Sequence, residues 1–161
     1  MEIEVKIRAL MMDPNSGTPI IILKDVGSDT MLPIWVGAYE ANAIALEIEK
    51  HAPPRPMTHD LLRNVITDLE GSVDRVVVSD LKDNTFYAII HLTVRGERVV
   101  IDARPSDAIA LALRTRAPIL VEETVIDNAK TVDFASERAD SDQLQKWLES
   151  LDPEELGKYK M

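Results

Sequence analysis

The sequence predicts an α+β fold, and three observations lead to that prediction. Predicted strands occur in groups of three, once in each half of the chain. An alanine-rich helical stretch follows each group. The two helical stretches share the letters AIAL, at residues 43–46 and 108–111. We therefore predict a duplicated β-β-β-α unit that forms one compact pseudo-symmetric domain.

The first unit begins with a strand over residues 2–11, where apolar residues alternate with charged ones. The turn-forming residues of DPNSG at 13–17 end this strand. Strands over 19–24 and 30–36 follow, and a helix over 39–51 completes the unit.

A further helix is predicted between the two units, over residues 59–70, with Gly71 as its stop signal. Its apolar residues form one stripe along the helix: Leu61, Leu62, Val65, Ile66 and Leu69. We expect this helix to dock on the core through that stripe.

The second unit repeats the order of the first, with strands over 74–81, 85–94 and 98–103 and a helix over 105–115. A short strand is expected at 118–121. Chance or shared helix composition is the alternative explanation of the four identical letters, but the repeated element order favours duplication.

The C-terminal part of the chain has a different character. Residues 122–140 read as a linker, and a last amphipathic helix is predicted over 141–151, with Trp147 on its apolar face. The chain is thus divided into a domain at 1–125 and an acidic linker with a C-terminal helix at 126–161. This helix could pack on its own domain or on a partner subunit, so we expect a homo-oligomer.

Composition limits the possible functions. The net charge is −10, and residues 122–161 contribute −6 of it, with 5 basic and 11 acidic residues. Such a chain has no general attraction for nucleic acid, so a nucleic-acid role requires a local basic cluster or a bound cation. The lack of cysteine, of a long apolar run and of a basic-then-apolar N-terminus predicts a cytoplasmic protein without membrane association.

Two predicted helix starts, at residues 55–60 and 104–107, contain similar polar residues. Each has an Arg-Pro step, a hydroxyl residue and an aspartate. Helix capping explains them well, because Thr58 suits the N-cap position and Asp60 and Asp107 favour the positive end of a helix dipole.

The same groups could bind a phosphate, because free N–H groups at a helix start attract anions and arginine grips phosphate with two N–H donors. The predicted phosphate-binding residues are Arg55, Thr58, Arg104 and Ser106. An ion pair with a nearby carboxylate is the alternative for both arginines.

Carboxylates near the second of these helix starts could hold a divalent cation. Asp102 shares a strand face with Arg104 and lies across the turn from Asp107, while Glu40 occupies the equivalent helix start of the first unit. Such a group could bind Mg²⁺ or Mn²⁺ and activate water for phosphodiester hydrolysis. The predicted metal ligands are Asp102, Asp107 and Glu40, and an Asp102 to Arg104 ion pair is the alternative.

Histidine supplies the candidate proton-transfer group. His59 has polar neighbours at a helix start, whereas His51 at a helix end and His91 within a strand are interpreted as structural. The predicted catalytic residues are His59, Asp60, Asp102 and Asp107.

Four sequence blocks resemble the bifunctional nuclease domain family: LPIWVGAYEANAIALEIE, RPMTHDLLRNVITDL, RVVVSDLKDNTFYAIIHL and VVIDARPSDAIALALRTRAPILV. The resemblance spans roughly residues 5–125 and includes all the candidate site residues. It implies a compact α+β domain, self-association and, for some plant members, hydrolysis of both RNA and DNA. We therefore expect a metal-assisted nuclease, with a non-catalytic oligomeric binding or regulatory module as the alternative.

Overall fold

The strands form one mixed sheet within the residues that this computed structural model describes, 1–129, 132–133 and 146. The described strands are β1 (Glu2–Met12), β2 (Pro19–Asp25), β3 (Thr30–Trp35), β4 (Gly71–Lys82), β5 (Thr85–Val94), β6 (Glu97–Ala103), β7 (Ile119–Glu122) and β8 (Val132–Asp133). The described helices are α1 (Ala38–Ile48), α2 (Thr58–Asp68), α3 (Pro105–Thr115) and α4 (Glu123–Asn128). The predicted α+β class is confirmed.

Two antiparallel three-stranded meanders lie on either side of β7, in the order β6-β5-β4-β7-β1-β2-β3-β8. β1 runs antiparallel to β7, and β4 runs parallel to it. β1 and β4, the strands on either side of β7, therefore run in opposite directions. A twofold axis perpendicular to the sheet would relate the two meanders in this way. The structure contains the predicted order of three strands and a helix twice. That this repetition arose by duplication stays a prediction.

Two tight hairpins shape the second meander. The turn residues Asp83 and Asn84 have φ of 50° and 61°, and Arg95 and Gly96 have φ of 51° and 81°. Two successive residues with positive φ form a type I′ turn, whose twist matches that of the flanking strands. The second hairpin therefore closes on the pair formed by Val94 and Glu97.

The core lies between the sheet and the helices. Ile44 of α1 and both Ile109 and Leu111 of α3 are fully buried. They pack in one hydrophobic cluster with buried residues of the sheet such as Ile21 and Phe86. Among the described residues, no helix is both long and apolar enough to cross a bilayer.

A buried arginine joins the three larger helices. Arg114 of α3 donates from Nε to Asp60 Oδ1 of α2 at 2.8 Å, and from Nη2 to the carbonyl of Ala43 in α1 at 2.9 Å. Its side chain is 2% exposed. Because a buried charge requires a partner, this network fixes the positions of the helices relative to one another.

The start of α2 differs from the prediction. Met57 is the N-cap residue, and Thr58 is the first helical residue. The carboxylate of Asp60 accepts the backbone N–H of Met57 at 3.0 Å, so this aspartate satisfies the helix start in place of the Thr58 hydroxyl. The expectation that Thr58 caps the helix was wrong.

The other predicted helix boundaries agree with the structure to different degrees. α3 has the predicted bounds, whereas α1 ends at Ile48 because Lys50 adopts a left-handed φ of 54°. His51 consequently lies beyond the helix and not at its end. The predicted linker contains α4, whose Val125 is buried in the core.

The predicted boundary after residue 125 therefore falls within a helix. The division of the chain into two parts stays a prediction, because most of the second part lies outside the described residues. The same is true of the helix predicted over 141–151, apart from Lys146, whose backbone is helical.

The apolar stripe of α2 does not dock on the core, contrary to the prediction. Leu61, Val65 and Leu69 are 57%, 45% and 58% exposed, and of the stripe only Ile66 packs against the core. α2 is held instead by Asp60, which lies on its other side. The stripe therefore forms one wall of an open cleft.

Candidate functional site

The beginnings of three helices meet at one end of a cleft of about 1040 Å³ that lies between α2 and the strands β5 and β6. Glu40 lies in the first turn of α1, His59 in the first turn of α2 and Asp107 in the first turn of α3. Arg104 is the N-cap residue of α3. Together these four residues are called the polar cluster below.

Short contacts connect the polar cluster from one end to the other. Arg104 Nη2 lies 2.6 Å from Glu40 Oε1, and Arg104 Nε lies 2.8 Å from Asp107 Oδ2. The second oxygen of Asp107, Oδ1, lies 2.9 Å from His59 Nε2. Each group thus orients the next, over a sequence separation of 48 residues between His59 and Asp107.

A glycine allows Glu40 to adopt its position. A Cβ atom added to Gly37 would overlap Glu40 Oε2, so a larger residue here would displace the carboxylate. Gly37 has an ordinary extended backbone, with φ of −70° and ψ of 155°. Gly37 thus leaves room for the Glu40 carboxylate in its observed position, and its backbone conformation does not require glycine.

The polar cluster combines a permanent cation with a histidine that could transfer a proton. The hydrogen bond to Asp107, supported by Glu40, raises the pKa of Arg104 and keeps the guanidinium charged. The side chain of His59 is 12% exposed. Because a carboxylate only accepts hydrogen bonds, His59 Nε2 donates to Asp107, and Nδ1 of the neutral imidazole is then the basic nitrogen.

Apolar side chains form most of the remaining cleft wall. They come from α2, β5 and β6: Leu61, Leu62, Val65, Leu69, Ile90, Leu92, Val99 and Ile101. The polar cluster thus lies at one end of an otherwise hydrophobic cleft.

The predicted phosphate-binding residues fall into different environments. Arg104 and Thr58 line the cleft, whereas Arg55 lines a separate pocket of about 410 Å³ together with Lys50 and Arg63. Ser106 is fully buried. Arg55 and Arg104 belong to similar local motifs, but they lie in different pockets. The structure therefore does not bring the predicted phosphate-binding residues together.

The three predicted catalytic aspartates also lie in different environments. Asp107 contacts His59 directly, and Asp102 lines the cleft from β6. Asp60 is buried, and both of its oxygens accept hydrogen bonds, from Arg114 and from the backbone of Met57. The geometry thus assigns a structural role to Asp60.

The arrangement of charges bears on the predicted metal site. No group of three potential ligands is found among the described residues, and Arg104 lies between Glu40 and Asp107. A cation shared by these two carboxylates and Asp102 does not fit while the guanidinium occupies this position. Arg104 pairs with Glu40 and Asp107, and none of the described ion pairs involves Asp102.

Arg114 was not predicted from the sequence as a residue of the site. It lines the cleft and holds the beginning of α2 against α1 and α3. The available signal was a single arginine at the end of the otherwise apolar stretch AIALAL, because a charge on a buried helix face requires a partner.

Comparison with known proteins identifies the family. A model of the bifunctional nuclease domain matches residues 21–133. The chain belongs to the bifunctional nuclease domain family. Its matched region contains all four residues of the polar cluster, together with both meanders except β1 and the first residues of β2.

Relatives of this bifunctional nuclease domain chain occur in bacteria and plants. An uncharacterized protein of Mycobacterium tuberculosis strain CDC 1551 is 39% identical over 155 residues, which cover 92% of this chain and 93% of the relative. Bifunctional nuclease 1 of Oryza sativa subsp. indica is 26% identical over 125 residues, covering 75% of this chain and 38% of the relative.

A second plant protein, Bifunctional nuclease 2 of Oryza sativa subsp. japonica, is 30% identical over 111 residues, covering 66% of this chain and 34% of the relative. The relatives whose names describe a nuclease are therefore considerably longer than this chain.

Proposed function

We propose that this protein hydrolyses phosphodiester bonds of RNA and DNA at the polar cluster. The contact of His59 with Asp107, which is in turn held by Arg104, is the observation on which the proposal depends. It places a potential base, its orienting carboxylate and a permanent cation side by side. The family membership and the names of the plant relatives support the choice of substrate.

The proposed reaction uses His59 as the base. Nδ1 of His59 takes a proton from a water molecule, whose oxygen forms a new bond to phosphorus while the bond to the leaving sugar oxygen breaks. Solvent protonates the leaving oxygen. Arg104 has five N–H donors, so those beyond its bonds to Glu40 and Asp107 can stabilise the charge that develops on the phosphate oxygens.

A divalent cation, Mg²⁺ or Mn²⁺, remains part of the proposal as an addition to these residues. Asp102 is among the residues that line the cleft, and the described residues provide no ion pair for its carboxylate. A cation bound there would supply a Lewis acid near the phosphate. No step described above depends on it. We also retain the cytoplasm as the proposed location.

The second candidate function is a non-catalytic oligomeric binding module, and the apolar cleft favours it. Most of the cleft wall is hydrophobic, which suits an apolar partner better than a phosphodiester chain. Trp35 and Phe86 are buried, so they cannot stack on nucleic-acid bases, whereas Tyr39 and Tyr87 are exposed.

The two candidates are separated by assaying purified protein on single-stranded RNA and DNA with Mg²⁺, Mn²⁺ or a chelator. We expect His59→Gln to lower kcat/KM by about 10²- to 10⁴-fold, because the base is lost. His91→Gln is the matched control, because His91 lies in β5 and is not among the residues that line the cleft.

Activity that is the same in the wild type, His59→Gln and Asp107→Asn would contradict the nuclease proposal. Activity that persists when the chelator removes all added cations would contradict the metal-assisted form of the nuclease proposal. Loss of activity in His59→Gln with full activity in His91→Gln would support the proposed base.

A further inference from the structure

The last strand of the second meander, β6, lies at the edge of the sheet and is exposed along almost its whole length. Val99, Val100 and Ile101 are 37%, 60% and 44% exposed. An edge strand presents unpaired N–H and C=O groups that can pair with another chain. We propose that β6 pairs antiparallel with β6 of a second copy of this protein, in a register centred on Val100.

The hairpin between β5 and β6 determines which backbone groups point outward. A type I′ turn closes on a hydrogen-bonded pair, here Val94 with Glu97, and hydrogen-bonded pairs then alternate along the ladder. The residues of β6 that point their N–H and C=O groups toward β5 are Glu97, Val99, Ile101 and Ala103. Those that point them away from the sheet are Arg98, Val100 and Asp102.

The sequence of β6 is complementary to itself about Val100. In antiparallel pairing centred on that residue, Arg98 lies opposite Asp102 of the partner subunit, and Asp102 lies opposite Arg98 of the partner subunit. All three outward-pointing residues then form hydrogen-bonded pairs. Val99 lies opposite Ile101 of the partner subunit, so apolar side chains also face each other.

Other registers satisfy fewer of these conditions. Centring the pair on Arg98 places arginine opposite arginine, and centring it on Asp102 places aspartate opposite aspartate. Like charges that lie directly opposite destabilise a strand pair. Within the described part of the chain, neither Arg98 nor Asp102 takes part in an ion pair, so both side chains can pair with the partner subunit. A cation bound at Asp102 would compete with this pairing.

This pairing also accounts for the open floor of the cleft. The twofold axis of such a pair is perpendicular to the sheet, so the helix-covered faces of the two copies lie on the same side. The apolar floor at Val99 and Ile101 then continues into the same residues of the partner subunit. The proposal stands on the edge strand and does not depend on the nuclease activity.

Charge reversal tests the register in the full-length protein by sedimentation equilibrium. Arg98→Glu and Asp102→Arg each create two like-charge pairs in the dimer, and we expect each to raise the dimer dissociation constant about tenfold or more. The double variant Arg98→Asp with Asp102→Arg restores opposite charges and should restore the wild-type constant. Lys6→Glu, an equal charge reversal on the distant strand β1, should leave the constant unchanged.

A backbone variant gives an independent test. Val100→Pro removes an N–H group that points away from β5, so the monomer keeps its ladder while the centre of the proposed pair loses its hydrogen bonds. We expect this variant to be monomeric with an unchanged circular dichroism spectrum. A monomeric wild type, or a dimer that survives both single charge reversals and Val100→Pro, would overturn the proposal.

Discussion

The two meanders have the same order of elements but very different surroundings. β3 of the first meander is buried over nearly its whole length, with Met31 and Ile34 fully inaccessible, and β8 pairs with its outer edge. β6, the corresponding strand of the second meander, is exposed and has no partner on its outer edge within the described residues. The outer strand of the first meander thus belongs to the core, whereas the second meander provides exposed surfaces for the proposed site and interface.

A buried polar contact closes the first meander. Trp35 Nε1 donates to Asp13 Oδ2 at 2.9 Å, and Asp13 is 1% exposed. Directly after the second meander, Arg104 makes its polar contacts at the cleft instead and remains partly accessible. The polar contact of the first meander thus serves stability, whereas that of Arg104 belongs to the candidate site.

The largest effect is expected where the two halves are joined. Arg114→Met leaves Asp60 buried without its guanidinium partner, and removal of one member of a buried pair costs about 3–5 kcal/mol. Urea unfolding should show this loss. Arg116→Met, two residues away at an exposed position, is the control. Equal stability of the two variants would mean that the buried network does not hold the halves together.

A matched pair of substitutions compares the two outer strands directly. Ile34→Ala in β3 should lower the free energy of unfolding by about 2–4 kcal/mol, because a cavity is left in the core. Val99→Ala at the corresponding position of β6 should cost less than about 1 kcal/mol in the monomer, because this residue is partly exposed. Similar losses at both positions would remove the contrast between the meanders.

The acid sensitivity of the first meander should depend on Asp13. Burial raises the pKa of Asp13, but hydrogen bonds from Trp35, from the backbone of Asn15 and from Ser16 outweigh it, and the pKa is lowered overall. A carboxyl group with a lowered pKa in the folded state stabilises the protein at pH values above its unfolded pKa, and this stabilisation is lost as the pH falls through the folded value.

Asp13→Asn should therefore cost about 1–3 kcal/mol at neutral pH and reduce the loss of stability below about pH 4. Thermal unfolding across this pH range measures both effects. A variant with the same pH dependence as the wild type would show that another carboxyl group is responsible.

The smallest effect is expected on the exposed stripe of α2. Val65→Ser should change the stability of the monomer by less than about 0.5 kcal/mol, because the side chain is 45% exposed and lines the cleft. Ile66→Ser, at the neighbouring residue that packs against the core, should be clearly more destabilising. An equal loss for both would indicate that the stripe is covered in solution.

Local patterns predicted the elements better than their environments. The bounds of α3 follow from Pro105 at its start and from its apolar periodicity, and both signals are local. The stripe of α2 was recognised, but periodicity reports only that residues share a face and not what that face contacts. Likewise, Arg55 and Arg104 have similar neighbours in sequence, and only the tertiary fold separates their pockets.

The candidate site was predicted in part for the same reason. His59 and Asp107 were singled out because each lies at a helix start, and the structure places them 2.9 Å apart. Their contact depends on the packing of α2 against α3, which involves Arg114 at the far end of a helix. Such long-range contacts leave no spacing pattern in the sequence.

The polar cluster takes its side chains from the beginnings of three helices, and α3 lies far from α1 and α2 along the chain. No single loop contains it, and no fragment with only one or two of the helices can reproduce it. Detachment of α2 or α3 would therefore remove the contact between His59 and Asp107 altogether and not weaken it gradually. If limited proteolysis in the segment before α2 released this helix, the chemistry that the cluster performs would accordingly be lost completely.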